Sequence, residues 1–177
     1  MIRAFRQAAA IHEELPTVAD DMSSYLEPFF GEEEFATALL IDVSDPRAIT
    51  STSCGHPPPV LVRRSEPPRF LDAPAGLPLG LGLGRDFLPS SVAWSPGDRV
   101  LMYTDGVSEA RDALGRFLPL LDVAPRLATA PFDDALDELL AEIRKHVPRG
   151  DLGDDLAVVL LENVTSGAQS AVESTSS

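Results

Sequence analysis

The chain has 177 residues, 44% of them hydrophobic, a single cysteine and a formal net charge of −14. Such a length and apolar content suit one domain with one substantial core. The acidity excludes a binder of phosphate backbones, which needs clustered Lys and Arg, and disfavours attraction to anionic membranes. Cys54 alone cannot form an internal disulfide, which fits a reducing, cytoplasmic setting.

In chain order, Ile2, Phe5 and Ala9 fall on one face of an expected first helix. The Ala8-Ala9-Ala10-Ile11 stretch is too brief for a signal-peptide core or a membrane span. A second helix is predicted from Val18 toward Leu26, with Pro28 stopping it. Residues 35–43 and 48–53 read as neighbouring strands joined through Ser44-Asp45-Pro46, and a short strand follows at 60–63. Between the two latter strands lies Cys54-Gly55-His56-Pro57-Pro58. There Cys54 reads as small core filler rather than a nucleophile, and His56 either shapes the turn or contacts substrate.

A long Pro/Gly-rich excursion comes next, with Leu77, Leu79, Leu81 and Leu83 expected to pin it to the sheet. Its Gly80-Leu81-Gly82-Leu83-Gly84 run is not a nucleotide loop, because no strand leads into it. The clearest helix spans 133–146. Asp133 or Asp134 can cap its start, Leu136, Leu139, Leu140 and Ile143 form its apolar stripe, and Lys145 and His146 complement its negative end before Pro148. Residues 1–162 are expected to form the domain and 163–177 a disordered tail. Asn163-Val164-Thr165 is formally a glycosylation acceptor, read as coincidence without a secretory context.

Chemistry concentrates in Pro96-Gly97-Asp98-Arg99-Val100-Leu101-Met102-Tyr103-Thr104-Asp105-Gly106. The first three residues are turn formers, and 100–104 lacks polar alternation, so it reads as a central strand buried on both faces. Asp105 emerges at its tip, where Gly106 allows a sharp turn. Asp-Gly alone is ordinary β-turn chemistry. A second acidic element shifts the balance: Gly150-Asp151-Leu152-Gly153-Asp154-Asp155 runs into the apolar strand 156–161. Adjacent carboxylates repel, so acids gathered at two strand ends are better explained by a cation than by packing.

Four elements in order, Phe35-Ala36-Thr37-Ala38-Leu39-Leu40, Cys54-Gly55-His56-Pro57-Pro58, Pro78-Leu79-Gly80-Leu81, and the stretch from Pro96 through Asp105-Gly106-Val107-Ser108-Glu109-Ala110, with Gly153-Asp154-Asp155 closing the series, carry a resemblance. The chain resembles the bacterial SpoIIE-type branch of the metal-dependent PPM (PP2C-like) protein serine/threonine phosphatases. The resemblance implies an α+β fold, an α-β-β-α sandwich of two antiparallel sheets flanked by helices, here N-terminally truncated. It implies Mn²⁺ or Mg²⁺ as cofactor, with Asp105 and Asp154 as ligands and catalytic residues and Asp155 as the alternative if the register slips by one. It also implies a phosphorylated regulatory protein of the anti-anti-sigma type as substrate.

The family's opening Gly-Asp-x-Tyr-Asp strand and its Gly-Asp-Val-x-Gly-x-Gly segment do not occur in the chain. Two acidic ligands suit one Mg²⁺-like ion but hold two poorly. The 177 residues alone are therefore expected to be feeble as a phosphatase. Three readings stand: a phosphatase whose other half-site lies outside this chain, a non-catalytic relative that binds phosphoproteins or a regulatory partner, and a scaffold that shares only the sandwich. Glu109 and Arg111 are read as a solvated exit from the Asp-Gly turn rather than substrate contacts.

Overall fold

The computed structural model describes residues 1–31, 34–72, 74, 76–81, 87–147 and 155–164. Within them the chain builds two antiparallel sheets, each backed by helices. The first sheet has the order β1–β2–β5, from β1 (Ala38–Asp42), β2 (Ala48–Cys54) and β5 (Pro89–Ala93). The second has the order β4–β3–β6–β7, from β4 (Arg69–Phe70), β3 (Val60–Val62), β6 (Arg99–Tyr103) and β7 (Val158–Glu162).

Side-chain alternation sorts the apolar residues into layers. Ile49, Leu61 and Val100 point between the sheets, where Trp94 and Leu71 complete a compact inner core. Their neighbours Val60, Val62, Leu101 and Tyr103 face outward onto a helical layer with Leu127, Leu139 and Ile143. That layer contains α3 (Asp105–Ser108), α4 (Leu120–Val123), α5 (Pro125–Thr129) and α6 (Phe132–His146). On the other side, α1 (Ile2–Ala9) and α2 (Leu15–Leu26) cover the first sheet through Ala4, Ala8, Ala19 and Met22 against Leu40 and Cys54. The α-β-β-α order expected from the resemblance is the order found.

Several local expectations need correction. The buried face of α1 is Ala4 and Ala8, not Ile2, Phe5 and Ala9, and Ile2 is 72% exposed. Small residues win here because they allow α1 to approach α2 closely, so the large apolar side chains turn away. The helix α2 starts at Leu15, with Pro16 in its first turn, and ends in a 3₁₀ turn, Glu27–Phe29. Neither Asp133 nor Asp134 caps α6, whose N-cap is Pro131 without a side-chain hydrogen bond. In the Pro/Gly excursion Leu79 is fully buried and pairs with Ala36, whereas Leu77 is exposed and Leu83 lies outside the described residues.

Burial also fixes two neutral acids. The Cys54 thiol is buried and pushed up to about 12, and the Tyr103 hydroxyl, donating to the Pro58 carbonyl at 3.0 Å, is likewise pushed up to about 12. Both groups ionise more readily once unfolded, so the unfolded chain releases protons that the folded chain keeps. Stability is therefore expected to be level below the ordinary thiol value of 9.0 and to fall as pH rises from there toward about 12. Urea midpoints measured across that window check the sign, and a midpoint that rises through it contradicts the burial of these groups.

Candidate metal site

β6 is the central strand the sequence implied, paired with β3 on one side and β7 on the other. Four of its five residues are buried. At its tip Thr104 takes an extended conformation and caps α3, so Asp105 begins a short helical turn rather than a simple β-turn. The Asp105 carboxylate accepts the Gly106 N–H at 3.1 Å and is otherwise exposed.

Thr104 joins this tip to the second acidic element. Its hydroxyl donates to the Asp155 carbonyl at 2.9 Å and accepts the Ala157 N–H at 2.9 Å, while its own N–H donates to the Ala157 carbonyl at 3.0 Å. These bonds continue the β6–β7 ladder past Tyr103 and Val158. Asp155 is thereby set next to the residue that precedes Asp105, with its side chain exposed. Asp154, together with Gly150, Asp151 and Gly153, lies outside the described residues. Sequence reasoning missed Thr104; a hydroxyl directly before an Asp-Gly at the end of an apolar run is the signal that marks it.

A cleft of about 380 Å³ opens beside Asp105, lined also by Thr37, Ser53, Gly55, His56 and Thr104. The loop that brings His56 there is tightly held. Ser53 Oγ donates to the His56 carbonyl at 2.9 Å, and His56 Nδ1 lies 3.0 Å from the Pro57 carbonyl, which orients the ring. Gly55 has φ +72°, and a Cβ placed on it would lie 2.7 Å from Pro78 Cγ. Gly55→Ala is therefore expected to lose about 1–3 kcal/mol and to displace His56, as thermal unfolding and the His56 ring resonances can read. An alanine variant with unchanged stability would contradict this strained fit.

Cys54, fully buried and raised toward 12, is the core filler that the sequence suggested. Arg111 stacks 4.0 Å over the Phe117 ring and donates to the Gly115 carbonyl, so it is engaged in its own hairpin. Among the described residues, no group of three or more His, Cys, Asp and Glu is placed to hold a metal ion. No helix among them is long and apolar enough to cross a membrane.

This sandwich, with an acid at the tip of its central strand, is the architecture of PP2C-type phosphatase domains. The chain belongs to the family described as stage II sporulation protein E (SpoIIE), whose model matches residues 1–163. Among curated proteins, none matches. Solved structures similar to it include the RsbU and RsbW domains of a Mycobacterium tuberculosis protein, 23% identical with a TM-score of 0.73, covering 90% of this chain and 45% of that one. The SpoIIE phosphatase domain with a regulatory fragment from Bacillus subtilis is 20% identical at a TM-score of 0.74, covering 91% of this chain and 48% of that one. The SiaA PP2C domain of Pseudomonas aeruginosa is 15% identical at 0.77, covering 90% of this chain and 66% of that one. The chain thus spans about half the length of the first two.

Proposed function

We propose that this chain is a metal-dependent protein serine/threonine phosphatase domain, hydrolysing phosphoserine or phosphothreonine monoesters on a regulatory protein of the anti-anti-sigma type. The observation that carries the reading is the Thr104 link, which sets the Asp155 segment beside the Asp105 strand tip at the edge of an open cleft. Exposed carboxylates of this kind are the hard oxygen donors that Mn²⁺ and Mg²⁺ prefer. Asp105 would hold the ion together with Asp154 or Asp155.

Family membership supports the activity class. Two further structures of this fold support a divalent cation as the cofactor class: RsbX in complex with magnesium, at a TM-score of 0.63, and the PstP catalytic domain with two manganese ions, at 0.60. When bound, such ions lower the pKa of a coordinated water and offset phosphoryl charge. The chain's own contribution is positional. Thr104 fixes the spacing of the two acidic segments, and the rigid Gly55 loop holds the His56 ring at the cleft where a phosphoryl group would sit. The partner class rests on the resemblance to SpoIIE-type proteins and on the RsbU-containing relative.

A second reading is a non-catalytic phosphoprotein-binding relative, since two acidic ligands suit one Mg²⁺-like ion and hold two poorly. Assaying the purified chain with Mn²⁺ and a phosphoserine peptide separates the two. Feeble turnover that requires Mn²⁺ and disappears in Asp105→Asn supports the enzyme. Mn²⁺ and phosphopeptide binding with no turnover supports the binding module, and turnover indifferent to Mn²⁺ or to Asp105 refutes the metal site.

A further inference from the structure

One hairpin runs against the charge of the rest of the molecule. Arg111-Asp112-Ala113-Leu114-Gly115-Arg116-Phe117 carries two arginines against one aspartate, a net +1, on a chain of −14. It follows α3, the helix that Asp105 opens, and its base is sunk in the helical layer by the buried Ala110 and Leu118, where the Leu118 N–H donates to the Ala110 carbonyl at 2.9 Å. Its second support is α6, whose last residue, His146, sets Nε2 3.0 Å from the Arg116 carbonyl. Among the described residues α6 is the last helix before Asp155. The hairpin is thus held by the element that Asp105 begins and by the one that precedes the second acidic segment.

The hairpin is fastened from within. The Gly115 N–H donates to the Asp112 carbonyl at 2.9 Å, and Gly115 takes φ +77°, which closes the turn. The Asp112 carboxylate accepts the N–H groups of Leu114 and Arg116 at 2.8 and 2.9 Å and pairs with the Arg116 guanidinium at 2.7 Å. Arg111, expected to be a solvated turn exit, lies over the Phe117 ring and donates to the Gly115 carbonyl at 3.1 Å. What this framework displays is Leu114, 76% exposed, with Phe117 half exposed beside it. A single exposed leucine is ordinary. A leucine on a tip that is ordered in advance can be buried by a partner at little entropic cost.

Charge selects the partner. The chain as a whole repels an acidic polypeptide and attracts a basic one, so an acidic segment docks only where a local patch of the opposite sign receives it. Arg111 and Arg116 supply that patch, and the Arg116 side chain stays 73% exposed although paired.

We propose that the 111–117 hairpin docks the protein substrate, taking an acidic segment near the phosphorylated residue with one apolar side chain against Leu114 and Phe117 and its carboxylates toward Arg111 and Arg116. That the docked polypeptide is a phosphatase substrate rests on the function proposed above; that an acidic segment with an apolar residue docks rests on the hairpin alone.

Fluorescence anisotropy of the full chain in EDTA tests the docking with two labelled peptides, Glu-Asp-Leu-Val-Ser-Leu-Glu and Lys-Lys-Leu-Val-Ser-Leu-Lys. The acidic peptide is expected to bind about tenfold more tightly than the basic one, against the net charge of the chain. Leu114→Ser should weaken the acidic peptide about tenfold, the worth of one buried leucine side chain, with an unchanged thermal midpoint. Arg111→Gln together with Arg116→Gln should erase the preference between the peptides. In Mn²⁺ the phosphoserine form of the acidic peptide should bind more tightly still, an increment that Asp105→Asn removes while docking in EDTA stays. Docking without that increment counts against the metal site and not against the hairpin. The proposal is overturned by a folded chain that binds neither peptide, by equal binding of the two, or by a Leu114→Ser variant that binds the acidic peptide as the wild type does.

Discussion

Replacing Arg99 with alanine is expected to destabilise the domain by about 3–5 kcal/mol, the range for breaking a buried ion pair. Arg99 is 4% exposed although it opens the central strand. Its Nε donates to Glu162 at 2.5 Å across the β6–β7 pair, and its Nη1 donates to the carbonyls of Leu127 and Ala130. The guanidinium also lies 5.6 Å from the centre of the Phe132 ring, at the start of α6. One side chain thus ties the second sheet to the link between α5 and α6. Alanine leaves the Glu162 carboxylate and two carbonyls without their donor. The double variant Arg99→Met/Glu162→Leu should recover much of the loss, because removing both charges also removes their desolvation cost. Urea unfolding of the two variants measures this, and a single-variant loss below about 1 kcal/mol would reduce the pair to the worth of an exposed ion pair.

Asp105→Asn should weaken Mn²⁺ binding by at least about tenfold, since one of very few carboxylates that a hard cation prefers is removed. The amide oxygen can still accept the Gly106 N–H, so stability should change by no more than about 0.5 kcal/mol. Water-proton relaxation with Mn²⁺ reads the affinity directly, without any need for turnover. Asp154→Asn and Asp155→Asn, measured alongside, decide which of the two shares the ion with Asp105. Equal affinities in all three variants and the wild type would leave Asp105 as a turn residue and no more.

The parts of this fold that were legible from the sequence are those where a single physical cue dominates. The run from Val100 to Tyr103 carries no polar alternation, so its central place could be read before any coordinates. Asp105 at its tip followed from the same cue, and α6 from its apolar stripe. Cues failed where two neighbours share a decision. Ala4 and Ala8 are buried because α2 lies against them, a fact held by the pair of helices and invisible in α1 alone. Arg99, read singly, is a charge that belongs in solvent; it is inside, against a half-buried Glu162, because residues 63 apart meet in the ladder. Thr104 is similar, since its role depends on which backbone passes beside it. The place of Asp105 at a strand tip was therefore legible, and the residue that aligns the Asp155 segment with it was not.

Asn163 gives the sandwich a consequence for how the chain is made. Its side-chain nitrogen donates to the carbonyls of Pro46 and Trp94, and its backbone exchanges bonds with Gly97 and Asp98, so the residue is shut in at 4% exposure. That nitrogen is the atom to which an oligosaccharide would be transferred within Asn163-Val164-Thr165. Sugar attached there during export through a eukaryotic host would occupy the seat of two carbonyls and keep the sheet ends from closing. Secretory expression hosts should yield misassembled material unless Thr165 is first changed to alanine, whereas cytosolic expression carries no such penalty.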